Sequence, residues 1–263
     1  MSAKWVRVSV QVAVFLVLPT WLEMWILPKW IFKGLHFSGY WNVVAYRLID
    51  SLIWIGVIAI VKPRALARFK VRREPKRLLI ALGVGFAYVG GNVIFAPYKG
   101  NSALMIAQAL LFTLMIGVNE ESFSRGLIFG CFEQYGVWVA AIVSSVHFGL
   151  LHFANYFWGG YSLRYNISQI IGAAAFGFMS CGLMVYSRTI WLPMLIHGLT
   201  DFPMQLVGVS AFVKATTGRA DWWGTVVEVF TCVLIGWALM ARHDQREMRR
   251  MRELGVRFGL VEV

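Results

Sequence analysis

The chain has 263 residues, of which 59% are hydrophobic and only 14% charged, with a formal net charge of +12. Soluble globular domains carry about 25% charged residues, so this composition excludes an ordinary soluble fold and places the chain in lipid. Nucleic-acid binding is excluded too, because the basic residues concentrate in Lys62 to Arg77 and in the tail after Arg242, where span ends meet anionic headgroups.

A membrane-crossing helix needs about 20 apolar residues. Spans are predicted at roughly 6–28, 41–61, 78–97, 102–132, 137–154, 165–187, 190–211 and 223–241. Lys4 and Arg7 precede the first, but its apolar run continues past Pro19 to Ile26 without a following small-residue cleavage site. It therefore reads as a retained span rather than a signal peptide. The second carries Arg47 and Asp50, three apart on one helix face, expected to pair structurally.

The loop that follows holds Lys62, Arg64, Arg68, Lys70, Arg72, Arg73, Lys76 and Arg77 against Glu74 alone, which marks it as cytoplasmic. Counting outward from it puts both termini in the cytoplasm, in agreement with the basic N-terminus and tail. The fourth span is too long for one straight crossing and is expected to tilt, protrude or break near Gly117 to Asn119. Trp25, Trp30, Tyr156, Phe157, Trp158, Trp222 and Trp223 sit at predicted ends as interfacial anchors. Cys131, Cys181 and Cys232 fall in apolar segments without CxxC spacing and read as small buried hydrophobes. The expected fold is all-α: a polytopic bundle of about eight spans. Residues 1–263 form a single membrane domain that ends in a charged, helical tail at 242–263.

Charge in hydrocarbon is costly, so each intramembrane ionisable group needs a partner or a purpose. Glu23 and Glu228 lie near span ends, and His36 and His243 lie in loop and tail; none of them makes a constellation. A second set clusters. In Asn119-Glu-Glu-Ser-Phe-Ser-Arg125, Glu121 and Arg125 are i,i+4 neighbours, whereas Glu120 is rotated by about 100°. Two adjacent carboxylates thus acquire different environments. The next span carries Phe148 and His152. Glu120 and His152 each lie 16 residues from Gly136, so an antiparallel hairpin turning there brings them to equal depth, about 24 Å from the turn at about 1.5 Å per residue. His147 projects about 140° away from His152 and reads as structural. His197 and Asp201, again i,i+4, add an imidazole and a carboxylate near mid-span. Three helices presenting such groups at a common depth could activate water, bind a metal or relay protons.

The Glu-Glu-x-x-x-Arg of Glu120, Glu121 and Arg125, the Phe-x-x-x-His of Phe148 and His152, and the His-x-x-x-Asp of His197 and Asp201 occur in that order. Together with Arg125-Gly-Leu-Ile-Phe-Gly130 and Asn155, this pattern resembles the CPBP family of intramembrane proteases, also called the CAAX prenyl protease 2 or Rce1-like family. The likeness covers a core at about 100–211. It implies an eight-helix membrane protease with a cavity in the bilayer. In that cavity Glu120 would be the general base and His152 would help hold the water. Glu121 with Arg125 would support the site, and His197 with Asp201 would stabilise the oxyanion or fix the water. Phe148 would be a packing residue. Family members often have Phe where this chain has Ser124, and Asn where it has Asp201. Ionised Asp cannot donate a hydrogen bond as Asn can.

No His-Glu-x-x-His occurs, so no cofactor is expected; a zinc ion held by the same groups is the alternative. The expected partners are a membrane-associated peptide or protein substrate and the lipid bilayer. Compact size and the lack of a targeting extension favour a bacterial plasma membrane. A transport, immunity or interaction role for the same polar cluster is the competing function.

Overall fold

The computed structural model describes residues 40–71, 74–218 and 220–257. The predicted first span, with Lys4, Arg7, Glu23, Trp25, Trp30 and His36, lies outside the described residues, as do Arg72, Arg73 and the end of the tail. All regular secondary structure among the described residues is helical. Helix α1 is Tyr40–Val61, followed by a 3-10 segment at Pro63–Phe69. Helix α2 is Pro75–Ile94, with Pro75 at its first turn, where a missing N–H costs nothing. Helix α3 starts at Ala103, capped by Ser102, whose hydroxyl accepts from the Met105 amide at 3.2 Å.

From there α3 runs unbroken to Tyr135, but not uniformly. Ala103–Glu121 is α-helical, Ser122–Ile128 is π-helical, Phe129–Phe132 returns to α and Glu133–Tyr135 is 3-10. Gly136, at φ 110°, then turns the chain into α4, Val137–Leu151. A short α5, Phe153–Phe157, follows. Helix α6 is Leu163–Ser187, capped by the Ser162 hydroxyl, and α7 is Trp191–Gln205. Helix α8 is Val209–Thr217, and α9 is Trp222–Arg257.

Six of the described helical segments are long and apolar enough to cross a membrane, within α1, α2, α3, α4 to α5, α6 and α9. The chain is a multi-pass membrane protein. Its outer helix faces present large apolar side chains such as Ile60, 84% exposed, and Phe230, 69% exposed, to the lipid. Helix α6 is the central post: 67% of its apolar window is buried, against 22–39% in the other spans. It packs against α4 on one side and α9 on the other, while α3 is clasped between α1 and α7.

One expectation needs correction, and another is narrowed. The span predicted at 190–211 is the 15-residue α7, which stops before Leu206. At about 1.5 Å per residue, 15 residues fall short of about 30 Å of hydrocarbon. The apolar pattern ran on because α8 resumes just beyond Gly208. Of the alternatives for α3, a break at Gly117 to Asn119 does not occur. Gly117 serves a close approach instead: a Cβ there would collide with the Met194 carbonyl oxygen of α7. Reciprocally, a Cβ on Gly198 of α7 would lie 2.8 Å from Leu114 Cα and 2.9 Å from the Thr113 carbonyl oxygen. The irregularity comes later, in the fully buried π-helical stretch.

Candidate active site

The acidic pair occupies the last turn of α3 before its π-helical stretch. Glu121 is fully buried, and its Oε2 lies 3.1 Å from Nε of the fully buried Arg125. The pair therefore forms although the intervening turn is π rather than α. The contact is an ion pair off the line of a good hydrogen bond, and Arg125 Nη1 and Nη2 have no hydrogen-bond partner among the described residues. The guanidinium is instead covered by the ring of Phe148, 4.5 Å below it, a cation–π contact in a desolvated setting. Gly177 of α6 makes the room, since a Cβ there would stand 2.9 Å from Arg125 Nη2.

The other Glu121 oxygen, Oε1, lies 2.9 Å from His197 Nδ1. A carboxylate can only accept, so Nδ1 carries the proton and donates. That bond turns His197 Nε2 toward two further carboxylates, Glu120 Oε2 at 3.7 Å and Asp201 Oδ2 at 3.6 Å. The imidazole is held edge-to-face against Phe148 and Phe176, with centroids at 5.6 and 5.1 Å. The side chains of Glu120 and Asp201 are more open, at 25% and 37% exposed, against 5% for His197.

His152 closes α4, with φ −69° and ψ −8°, and its Nδ1 lies 3.0 Å from the Phe148 carbonyl oxygen. A carbonyl can only accept, so Nδ1 is the donor and Nε2 is left basic. The Asn166 amide donates to the His152 carbonyl at 2.7 Å and anchors this helix end to α6. A cavity of about 230 Å³ is lined by His152, His197 and Asp201, with Tyr165, Thr200 and Glu228 on its wall. The structure thus brings Glu120, Glu121, Arg125, His197 and Asp201 into one connected set of contacts and places His152 on the same cavity as the last two. Phe148 does more than fill space, because one ring touches Arg125, His152 and His197. His147 packs apart from this set, against Phe123 at 5.6 Å.

Three residues outside the motifs join the site. Arg47 Nη1 donates to Asn119 Oδ1 at 2.8 Å and lies 3.9 Å from Glu120 Oε1. The Asn119 amide in turn donates to Asp50 Oδ2 at 2.9 Å. Arg47 and Asp50 therefore bind α1 to the acidic segment instead of serving only as a helix-face pair. Glu228 also needs correction: it lies near the start of α9 as expected, yet it belongs with the polar cluster, facing the cavity with Tyr88 Oη donating to it at 3.4 Å. Its signal was the four-residue spacing of Glu228, Cys232 and Gly236, a ridge that α9 lays on α6. There a Cβ on Gly182 would meet the Gly236 carbonyl oxygen at 2.7 Å.

Residues 102–203 match the family model described as type II CAAX prenyl endopeptidase Rce1-like. Over that stretch the chain is similar to the Rce1-like family. No curated protein matches the chain. The matched stretch contains Glu120, Glu121, Arg125, His152, His197 and Asp201; Arg47 and Glu228 reach the same site from outside it. Among the described residues, no three His, Cys, Asp or Glu side chains are grouped to hold a metal ion.

Proposed function

We propose that the protein is an intramembrane endopeptidase that hydrolyses peptide bonds of membrane-associated proteins or peptides by a glutamate mechanism without a cofactor. The observation that carries this reading is the double approach to His197. Glu121 fixes its Nδ1, and Glu120 and Asp201 stand 3.7 and 3.6 Å from its Nε2. Such separations exceed direct hydrogen bonds, so the three groups converge on one point, and a water beside them is within reach of each.

Glu120 takes a proton from that water as the oxygen attacks the scissile carbonyl carbon. His152 steadies the water through its basic Nε2. The oxyanion that develops is stabilised by protonated His197, with Asp201 fixing the ring. Glu120 then returns its proton to the leaving nitrogen, the C–N bond breaks, and a carboxylate and an amine depart. Glu121 and Arg125 act as positioning residues through His197. A bacterial plasma membrane is the setting proposed for this chemistry.

The test compares new protein termini in membranes of cells making the wild type or Glu120→Gln, with both proteins present at equal level and equal thermal midpoint. Termini that depend on Glu120 are expected. If the two membranes give identical termini, or a defined substrate is cleaved at the full rate by Glu120→Gln, the reading fails. A transport or interaction role would then account for the polar cluster.

A further inference from the structure

A second cavity, of about 390 Å³, lies at the end of the bundle that carries the basic loop, away from His197. Its polar wall is made by Arg64, Arg68, Arg188 and His243, with Glu133 as the carboxylate among its lining residues; the half-buried Val137 and Val185 contribute an apolar wall. Four separate parts of the chain converge to build it: the 3-10 segment, the α3–α4 turn, the end of α6 and α9.

The polar groups are arranged as donors. Arg68 Nη2 lies 2.5 Å from Glu133 Oε2, while its Nη1 is buried without a hydrogen-bond partner. The same guanidinium is stacked over Phe129 at 5.0 Å, which fixes its plane. Arg188 is held in place by Glu74 at 2.9 Å and has φ 60°, a left-handed conformation rare for a side chain larger than Asn. His243 Nδ1 lies 2.8 Å from Nη2 of the buried Arg77, whose Nε donates to the Tyr186 carbonyl oxygen at 2.6 Å. A guanidinium can only donate, so His243 Nδ1 accepts. Four guanidiniums, those of Arg64, Arg68, Arg77 and Arg188, thus surround this corner against the carboxylates of Glu74 and Glu133.

We propose that this cavity binds a phosphate group, and that the apolar wall beside the donors suits it to the headgroup of an anionic phospholipid. Guanidiniums match phosphate oxygens in pairs, and a fixed cluster at a membrane face offers more than the diffuse attraction of loose basic residues.

The test uses the full chain purified in mild detergent, with bound phospholipid quantified by mass spectrometry. Arg64→Gln combined with Arg188→Asn is compared with Lys70→Gln combined with Lys76→Gln. The control pair removes the same charge from exposed positions of the neighbouring loop, and Asn tolerates the backbone at 188. Retained phosphatidylglycerol should fall about twentyfold in the first variant and less than about twofold in the second. Inorganic phosphate and short-chain phosphatidylglycerol are then titrated separately into delipidated wild type. A saturable rise in thermal midpoint with the lipid alone assigns the site to a headgroup; an equal rise with inorganic phosphate assigns it to a soluble phosphate. Equal lipid loss in the two variants, no loss in either, or no response to either ligand overturns the proposal. Arg64→Lys should restore most of the binding lost by Arg64→Gln, which separates loss of the site from loss of the fold.

Discussion

Glu121 and His197 are 76 residues apart in the chain, yet Oε1 of one and Nδ1 of the other are 2.9 Å apart. The same carboxylate holds Arg125 through its other oxygen. One buried anion therefore orients a ring and neutralises a guanidinium at once, and its neighbour Glu120 is left for different work. Glu120→Gln should lower cleavage by about 10²- to 10⁴-fold, the span of lost general-base catalysis, with an unchanged thermal midpoint. Glu121→Gln should lower both, because it strands a fully buried Arg125 at a cost of about 3–5 kcal/mol. Thermal unfolding of the two variants beside their cleavage rates separates the roles; equal stability loss in both would contradict the division.

Asp201 Oδ2 stands 3.6 Å from His197 Nε2, and its carboxylate, when ionised, has no hydrogen to donate. Asp201→Asn should keep cleavage within about tenfold of wild type, since the amide can donate to a developing oxyanion. Asp201→Ala should lose about 10²-fold, which is measurable as kcat/KM on a fluorogenic peptide. Complete loss in the Asn variant would mean that charge at 201, rather than hydrogen bonding, is what the site uses.

Glu228 shares the cavity with Asp201 but is not in contact with His197 in any ion pair among the described residues. Glu228→Gln should act on substrate binding, raising KM by about three- to tenfold while kcat changes less than about twofold. A fall in kcat comparable to that of Glu120→Gln would place Glu228 in the chemistry.

A cofactor-free mechanism predicts that strong chelators leave the rate of purified enzyme unchanged and that metal analysis finds less than stoichiometric zinc. Loss of activity restored specifically by zinc would favour the metal version of the site.

Packing gives a prediction free of any assumption about activity. Gly117→Ala and Gly198→Ala should each destabilise the protein by about 1–3 kcal/mol, because the added methyl meets backbone of the facing helix. At Gly83 and Gly90 nothing lies within 4 Å of an added Cβ, so Ala should be neutral or stabilising by up to about 1 kcal/mol. Thermal midpoints of the four variants decide the matter.

Much of this was legible in the sequence because membrane helices are written in long apolar runs, and a charge within such a run stands out. The spacing of Glu121 and Arg125 told that they could meet, and that of His197 and Asp201 told that they share a face. What spacing could not tell was rotation. Glu228 reads as a span-end carboxylate until the small-residue ridge of α9 is laid on α6. Arg47 and Asp50 read as a local pair because Asn119, which both of them engage, is 69 or more residues away. The π-helical stretch was hidden for a similar reason: seven buried residues fit apolar surroundings equally well with either winding, and only packing selects one.

The glycine contact between α3 and α7 also bears on how a substrate arrives. Gly117 and Gly198 let the two backbones touch, four residues from Glu121 and one from His197, so this pair of helices cannot part to admit a chain without losing its closest packing. The α6–α9 flank is closed in the same way, because a Cβ on Gly182 would stand 2.7 Å from the Gly236 carbonyl oxygen and the Ser168 and Thr225 hydroxyls are 2.5 Å apart. Under the proposed reading, a substrate segment therefore enters by a route that parts neither of these two helix pairs.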